Sequence, residues 1–241
     1  MHSKNRYALS HTNPYKSDYF ITCMALIAGC DEAGRGPLIG PMVLAAVAIE
    51  EKDIPKLAAL GVKDSKMLTP KKREELYPKI KELAQVEIAI VDAAEIDMRR
   101  AMGTNLNQIE AMKIAQLLIK LNPKEAYIDS PHPGDSQKFE EVIRSSTIEP
   151  INAVMYCEHK ADVTYPVCSA ASIIAKVERD RIIEKIKAAI GFEFGSGYIA
   201  DPVTKNFVET NSDAASPFIR KSWAPFKDLQ KKEAQKSLFD F

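Results

Sequence analysis

Two adjacent acids, Asp31 and Glu32, close an apolar run and lead directly into a glycine-rich turn, Gly34-Arg35-Gly36. Carboxylates at the end of a buried strand are unfavourable unless they hold a cation or sit in a hydrogen-bond network. Glycine amides admit close approach of a ligand, and a guanidinium beside them suits a phosphate oxygen. Acids for a metal, then bare backbone and an arginine for phosphate, make a site suited to a phosphodiester. Taken alone, GRG reads as an ordinary turn with an exposed arginine; the acid pair in front of it shifts the balance. Two further acids stand in comparable settings. Asp129 ends the short apolar run AYID, where the alternative is the first residue of an Asx turn. Asp162 precedes a long helix, and a rigid element there would bring its carboxylate to a site. Such acids are hard oxygen ligands for magnesium or manganese. Lys63 and Lys66 in the segment KDSK read either as phosphate contacts or as a solvated loop. For His159, protonation of a leaving group competes with a structural role.

The elements that must position these groups alternate between sheet and helix. Apolar runs at 24–30 and 42–49 predict two buried strands, with Gly40-Pro41 in the turn between them. Pleating sends Asp31 and Glu32 to opposite faces, so their convergence requires the pleat to end at the acids. Further strands are predicted at 86–92, 126–129 and 151–156. A helix is predicted over 70–83, started by Thr69 as N-cap and Pro70 at the first helical position. Others follow at 93–100, 105–121 and 135–145. After Asp162, the small residues 169–172 allow a helix to approach the sheet closely, and Ile173, Ile174, Val177, Ile182, Ile183 and Ile186 give it an apolar stripe. A glycine-rich loop at 191–201 displays Tyr198, and helices are expected at 202–210 and 217–234. This alternation defines the α/β class.

The 241 residues suffice for one large domain with an appendage, and the formal net charge is zero. Any nucleic-acid surface must therefore be a local patch. Residues 220–236 are a candidate, with six basic residues against Asp228 and Glu233; a solvated helix face is the alternative. Cys23, Cys30, Cys157 and Cys168 lack CxxC pairing, which reads as buried thiols in a reducing cytoplasm. A zinc cluster with Cys157 and His159 is the other reading. Ile27-Ala28-Gly29-Cys30 resembles a lipoprotein processing site, but processing there would remove the strand that carries Asp31. No stretch is long enough to span a membrane.

DEAGRG followed by a hydrophobic strand resembles the first motif of type 2 ribonucleases H. The family also has a DSK segment, HKAD…SAASIIAKVERD resembles its fourth acidic motif with Asp162 as the acid, and GSGY before Asp201-Pro202 resembles the archaeal form of its substrate-reading loop. The likeness covers roughly 24–210. It implies a ribonuclease H-like fold: a mixed five-stranded sheet flanked by helices, with a C-terminal helical region. The implied activity is hydrolysis of the RNA strand of RNA–DNA hybrids. Cleavage 5′ of single ribonucleotides in duplex DNA is implied as well, leaving 5′-phosphate and 3′-hydroxyl ends in replication and repair. Asp31, Glu32, Asp129 and Asp162 would hold two Mg2+ or Mn2+ ions. Gly34, Arg35, Gly36, Lys63, Lys66 and Tyr198 would bind substrate, with Tyr198 stacking on a sugar or base. The tail QKSLFDF places Gln235, Leu238 and Phe241 at the spacing of a sliding-clamp-binding peptide. It departs from that motif in ending at Phe241, with Phe239 off register. The expected organisation is an extension over 1–23, a catalytic domain over 24–190, a helical substrate-binding region over 191–234 and a clamp-binding tail over 235–241, working as a monomer. A type 3 enzyme would carry a further N-terminal domain, for which 1–23 is too short. A clamp-tethered duplex-binding module without catalysis would have no need of the acids.

Overall fold

The structure, a computed structural model, describes residues 25–62, 67–131, 136–211, 213–228 and 230–231. Lys63, Lys66, the extension over 1–23 and the tail residues Gln235, Leu238 and Phe241 lie outside the described residues.

Five strands form one mixed sheet: β1 (Leu26–Ala33), β2 (Met42–Glu50), β3 (Gln85–Val91), β4 (Glu125–Asp129) and β5 (Val154–Glu158), in the order β3-β2-β1-β4-β5. β2 runs antiparallel to β1 and to β3, while β4 is parallel to β1 and β5 parallel to β4. The helices are α1 (Ile54–Ala59), α2 (Pro70–Leu83), α3 (Ala93–Ala101), α4 (Leu106–Leu121), α5 (Ser136–Ser145), α6 (Ala161–Thr164), α7 (Pro166–Ile190) and α8 (Pro202–Asn211). Among the described residues no helix is long and apolar enough to cross a membrane.

Pleating of β1 divides the core. Leu26, Ala28 and Cys30 join the apolar layer of α4 and α5. Ile27 and Ala33 join the layer of α7 and α2. α4 is started by a capping box, in which Asn105 and Gln108 each accept from the other's backbone amide. α7 opens with Pro166 in its first turn and ends at Gly191, whose φ of 72° is left-handed. Its first turn lies directly on β1: a Cβ at Gly29 would overlap the backbone of Val167 and Cys168. Glycine at that strand position and small residues on the facing helix let the two backbones touch.

Three expectations are corrected. The pleat does not stop at the acids, since β1 continues to Ala33. β5 begins at Val154 rather than at 151, because Arg144 donates to the carbonyls of Ile151 and Ala153 and holds that stretch beside α5. No helix starts at 217. A 3-10 turn (Ser216–Phe218) leads into an isolated bridge between Ile219 and Ile39, and helical backbone resumes only at 224–228. Pairing with the chain just after the GRG turn competes with helix formation here: Gly40 donates to Phe218 and Arg220 donates to Leu38 through their backbones, both at 2.9 Å. Residues of the 191–226 stretch pack on Leu38, Ile39 and the last turns of α7 in a third apolar cluster around Phe194, Phe207 and Phe226.

Candidate active site

The sheet register brings two acids together. β1 and β4 are parallel neighbours with Cys30 opposite Ile128, so the next pair is Asp31 with Asp129, at the carboxyl ends of adjacent strands and on one face. The third acid comes from the crossover after β5. Lys160, a non-glycine residue at φ 62°, turns the chain into α6, and the Ala161 amide donates to Asp129 Oδ1 at 2.8 Å. This anchor seats Asp162, and carboxylate oxygens of Asp31, Asp129 and Asp162 lie within 4.8 Å of one another. Asp31 and Asp162 are buried, and the Ser169 hydroxyl on α7 donates to the Asp162 carbonyl.

Glu32 is not among the three acids within 4.8 Å, but its side chain is hydrogen-bonded to that of Asp31 and lines the cleft beside them. It remains electrostatically tied to the cluster. Burial, followed by the Asp31 and Asp129 charges, pushes its carboxyl up to about 8, against the pull of Arg35. Asp31 is also raised, by burial and by Asp162, while Lys176, Ser172 and the Glu32 amide act in the opposite direction. Hard oxygen donors in mutual repulsion and away from water are the donor set a small divalent cation requires. The residues present therefore fit magnesium or manganese. Among the described residues no zinc cluster forms around Cys157 and His159: Cys157 is buried in the layer of α4, and His159 Nδ1 faces the Ser130 carbonyl.

Beside the acids, a cleft of about 430 Å³ is lined by Glu32, Gly34, Arg35, Arg73, Lys176, Arg179, Asp180 and Tyr198. Its cationic wall escaped the sequence reading. Lys176 and Arg179 are three residues apart on α7 and so share one helix face; that spacing is the signal that would have found them. Gly34 adopts φ 79°, and a Cβ there would overlap Arg179 and the Pro41 carbonyl. Gly36 faces Tyr198, whose ring lies 3.5 Å from where a Cβ would stand. Tyr198 is held opposite the turn by its neighbours: Gly197 accepts from the amides of Leu38 and Ile39, Ser196 donates to Asp201, and Arg179 donates to the Ser196 carbonyl while its guanidinium lies 5.4 Å from the tyrosine ring. Arg35 lines the cleft as well. Its guanidinium turns inward to the buried Glu110 and to Asn107, both on α4, so it anchors the turn. The other cations that line the cleft are Arg73, Lys176 and Arg179.

Three adjacent parallel strands, β1, β4 and β5, continued by the antiparallel β2 and then β3, with helices on both faces, are the ribonuclease H-like fold, and the carboxylates at the ends of β1 and β4 mark a nuclease of that class. The chain belongs to the ribonuclease HII family: the profile described as Ribonuclease HII matches residues 28–226. It is 46% identical over 223 residues to the ribonuclease HII of Methanococcus maripaludis strain C7, across 90% of this chain and 92% of the relative. The crystal structure of ribonuclease H2 from Pyrococcus horikoshii OT3 superposes with a TM-score of 0.76 at 40% identity, covering 86% of this chain and 98% of that one. The ribonuclease HII chain in the PCNA complex from Archaeoglobus fulgidus superposes with a TM-score of 0.72 at 40% identity, covering 82% and 95%.

The Glu32 shift has a measurable consequence. Without metal, the folded protein holds this carboxyl's pKa up at about 8, whereas the unfolded chain releases the proton near the ordinary glutamate value of 4.5. Between those values the folded state binds more protons, so this group's contribution to stability falls as pH rises. A divalent cation replaces the proton and reverses the loss. Thermal denaturation should show a Mg2+-induced rise in Tm that is several degrees larger at pH 8 than at pH 6. Equal rises at both values would contradict the assignment.

Proposed function

We propose that the chain hydrolyses the RNA strand of RNA–DNA hybrids and cuts 5′ of single ribonucleotides in duplex DNA, leaving 5′-phosphate and 3′-hydroxyl ends. The observation that carries this reading is the convergence of Asp31, Asp129 and Asp162 beside a cleft with cationic walls. The three acids, with Glu32 beside Asp31, would hold two Mg2+ or Mn2+ ions. When bound, such ions supply activation of the attacking water and stabilisation of the leaving oxygen in an in-line displacement. The protein's own groups do the positioning. Arg73, Lys176 and Arg179 attract the phosphate backbone, as Lys63 and Lys66 of the KDSK segment would. The 2′-hydroxyl both donates and accepts and is the local mark of RNA, and backbone groups of Gly34, Arg35 and Gly36 can reach it without side-chain obstruction. Tyr198 would stack on the following deoxyribose, so that the pair reads an RNA-to-DNA junction. Recognition through phosphate, sugar and backbone contacts alone would make cutting largely independent of sequence. This activity suits ribonucleotide removal in replication and repair, in the cytoplasm, by a monomer with a catalytic unit over 24–190 and a substrate-binding region over 191–234.

Cleavage of a duplex DNA carrying one ribonucleotide, with and without Mg2+, tests this directly. Asp162→Asn and Asp129→Asn should each lower kcat by two or more orders of magnitude while leaving the circular dichroism spectrum unchanged. Near-normal turnover in both variants would overturn the reading. For the tail, the solved Archaeoglobus complex of a relative with PCNA supports a sliding-clamp partner, with Leu238 and Phe241 entering an apolar pocket and Gln235 bonding at its rim. Removal of 235–241 should abolish clamp binding in a pull-down while cleavage of short duplexes continues at the full rate. Undiminished clamp binding would reject this role.

A further inference from the structure

Arg220 is the largest fully buried side chain in the described part of the molecule, and among the described residues no carboxylate accepts from it. Its guanidinium donates instead to three backbone carbonyls of one short loop: Nε to Gly40 at 3.0 Å, one terminal nitrogen to Arg35 at 2.8 Å and the other to Gly34 at 2.5 Å. Trp223 adds a fourth bond, from its indole nitrogen to the Gly36 carbonyl at 3.2 Å. The carbonyls of Gly34, Arg35 and Gly36, three in succession, are thereby held by a segment nearly two hundred residues further along the chain.

The segment is itself fixed. Asp97 on α3 accepts from the amides of Lys221 and Ser222 at 2.7 and 2.9 Å. The guanidiniums of Arg220 and Arg100 lie 5.0 and 5.3 Å from the centroid of the Trp223 ring. Burying a cation is unfavourable, and here the burial serves a geometric end. A guanidinium offers its donors in a rigid plane, so bonds to three carbonyls determine the orientation of the peptide planes that carry them.

A trans peptide directs its carbonyl and the following amide to opposite sides. With the Gly34 and Arg35 carbonyls drawn to Arg220, the amides of Arg35 and Gly36 face away from it, towards the cleft shared with Tyr198. We propose that Arg220 and Trp223 are positioning residues for ribose recognition. By pinning the far side of the GRG turn, they aim the Arg35 and Gly36 amides at the sugar of the substrate, and they set the preference for a ribonucleotide over an all-DNA duplex. This inference rests on the proposed ribonucleotide cleavage.

The test compares two affinities under turnover conditions with Mg2+. One is KM for a duplex carrying a single ribonucleotide; the other is Ki for the same duplex in all-DNA form, used as a competitor. Trp223→Phe keeps the ring and removes the bond to Gly36, and Arg220→Lys keeps the charge but cannot span three carbonyls. Each should raise KM about tenfold towards Ki, with Ki within twofold of its original value. A purely structural role would reduce the amount of active protein, lowering kcat and leaving both KM and Ki unchanged. In Arg220→Ala, added guanidinium ion should restore the low KM. Should Arg220→Lys fail to fold, Trp223→Phe decides the matter. An unchanged KM-to-Ki ratio in folded Trp223→Phe would overturn the inference. A wild-type protein that cuts the ribonucleotide duplex but has KM equal to Ki would overturn it too, while leaving the cleavage reading intact. Absence of cleavage by the wild type would instead refute the function on which it rests.

Discussion

Three carboxylates within 4.8 Å of one another, two of them buried, form an arrangement that repels itself. Everything around it works to hold that repulsion in place. The parallel register of β1 and β4 puts Asp31 and Asp129 side by side. The Ala161 amide bonds Asp129 and so seats α6 with Asp162. The contact of α7 with Gly29 brings Ser172 and Lys176 close enough to temper Asp31. Like charges gathered without water destabilise a fold unless a cation joins them. The apolar layers on both faces of the sheet keep the acids together in readiness for one.

The alternation of a single strand separates two tasks. Asp31 faces α7 and the other acids, while Glu32, one residue on, lines the cleft where β1 passes into the GRG turn. On the α4 side Arg35 is secured by Glu110 and Asn107. The metal-facing side of the chain is thus continuous with a recognition turn that is anchored behind by α4 and by the strap from Arg220 to Trp223. Gly34 at φ 79° allows the change of direction between them. The hydrolytic and recognition sites therefore share one short stretch of backbone, and a displacement of either is felt by the other.

Much of this was legible in the chain, and the parts that were not have a common cause. Acids that end apolar strands are a local signal, and Asp31 and Asp129 were found that way, while Asp162 was found by its place before a long helix. The α/β alternation and the close approach of residues 169–172 to the sheet were equally local. The end of β1 was misjudged because the glycines suggested that the pleat stops at the acids, whereas pairing with β2 carries it on to Ala33. The partner of Arg35 lies on a helix whose stripe showed only that it would be buried, and a buried Glu110 within that stripe gave no sign of its cation. The segment after Pro217 has the composition of a helix, but its backbone is claimed by Leu38 and Gly40, a long-range pairing that overrides local propensity. Local chemistry was readable; contacts across the fold were not.

The central claim is that the fold holds Asp31, Asp129 and Asp162 together for divalent cations. Anomalous diffraction from crystals of the protein grown with manganese and a ribonucleotide-containing duplex measures this most directly. The account expects two manganese peaks among these carboxylates, both lost in Asp129→Asn crystals. An ordered site with the duplex bound and no manganese peak between the acids would contradict it.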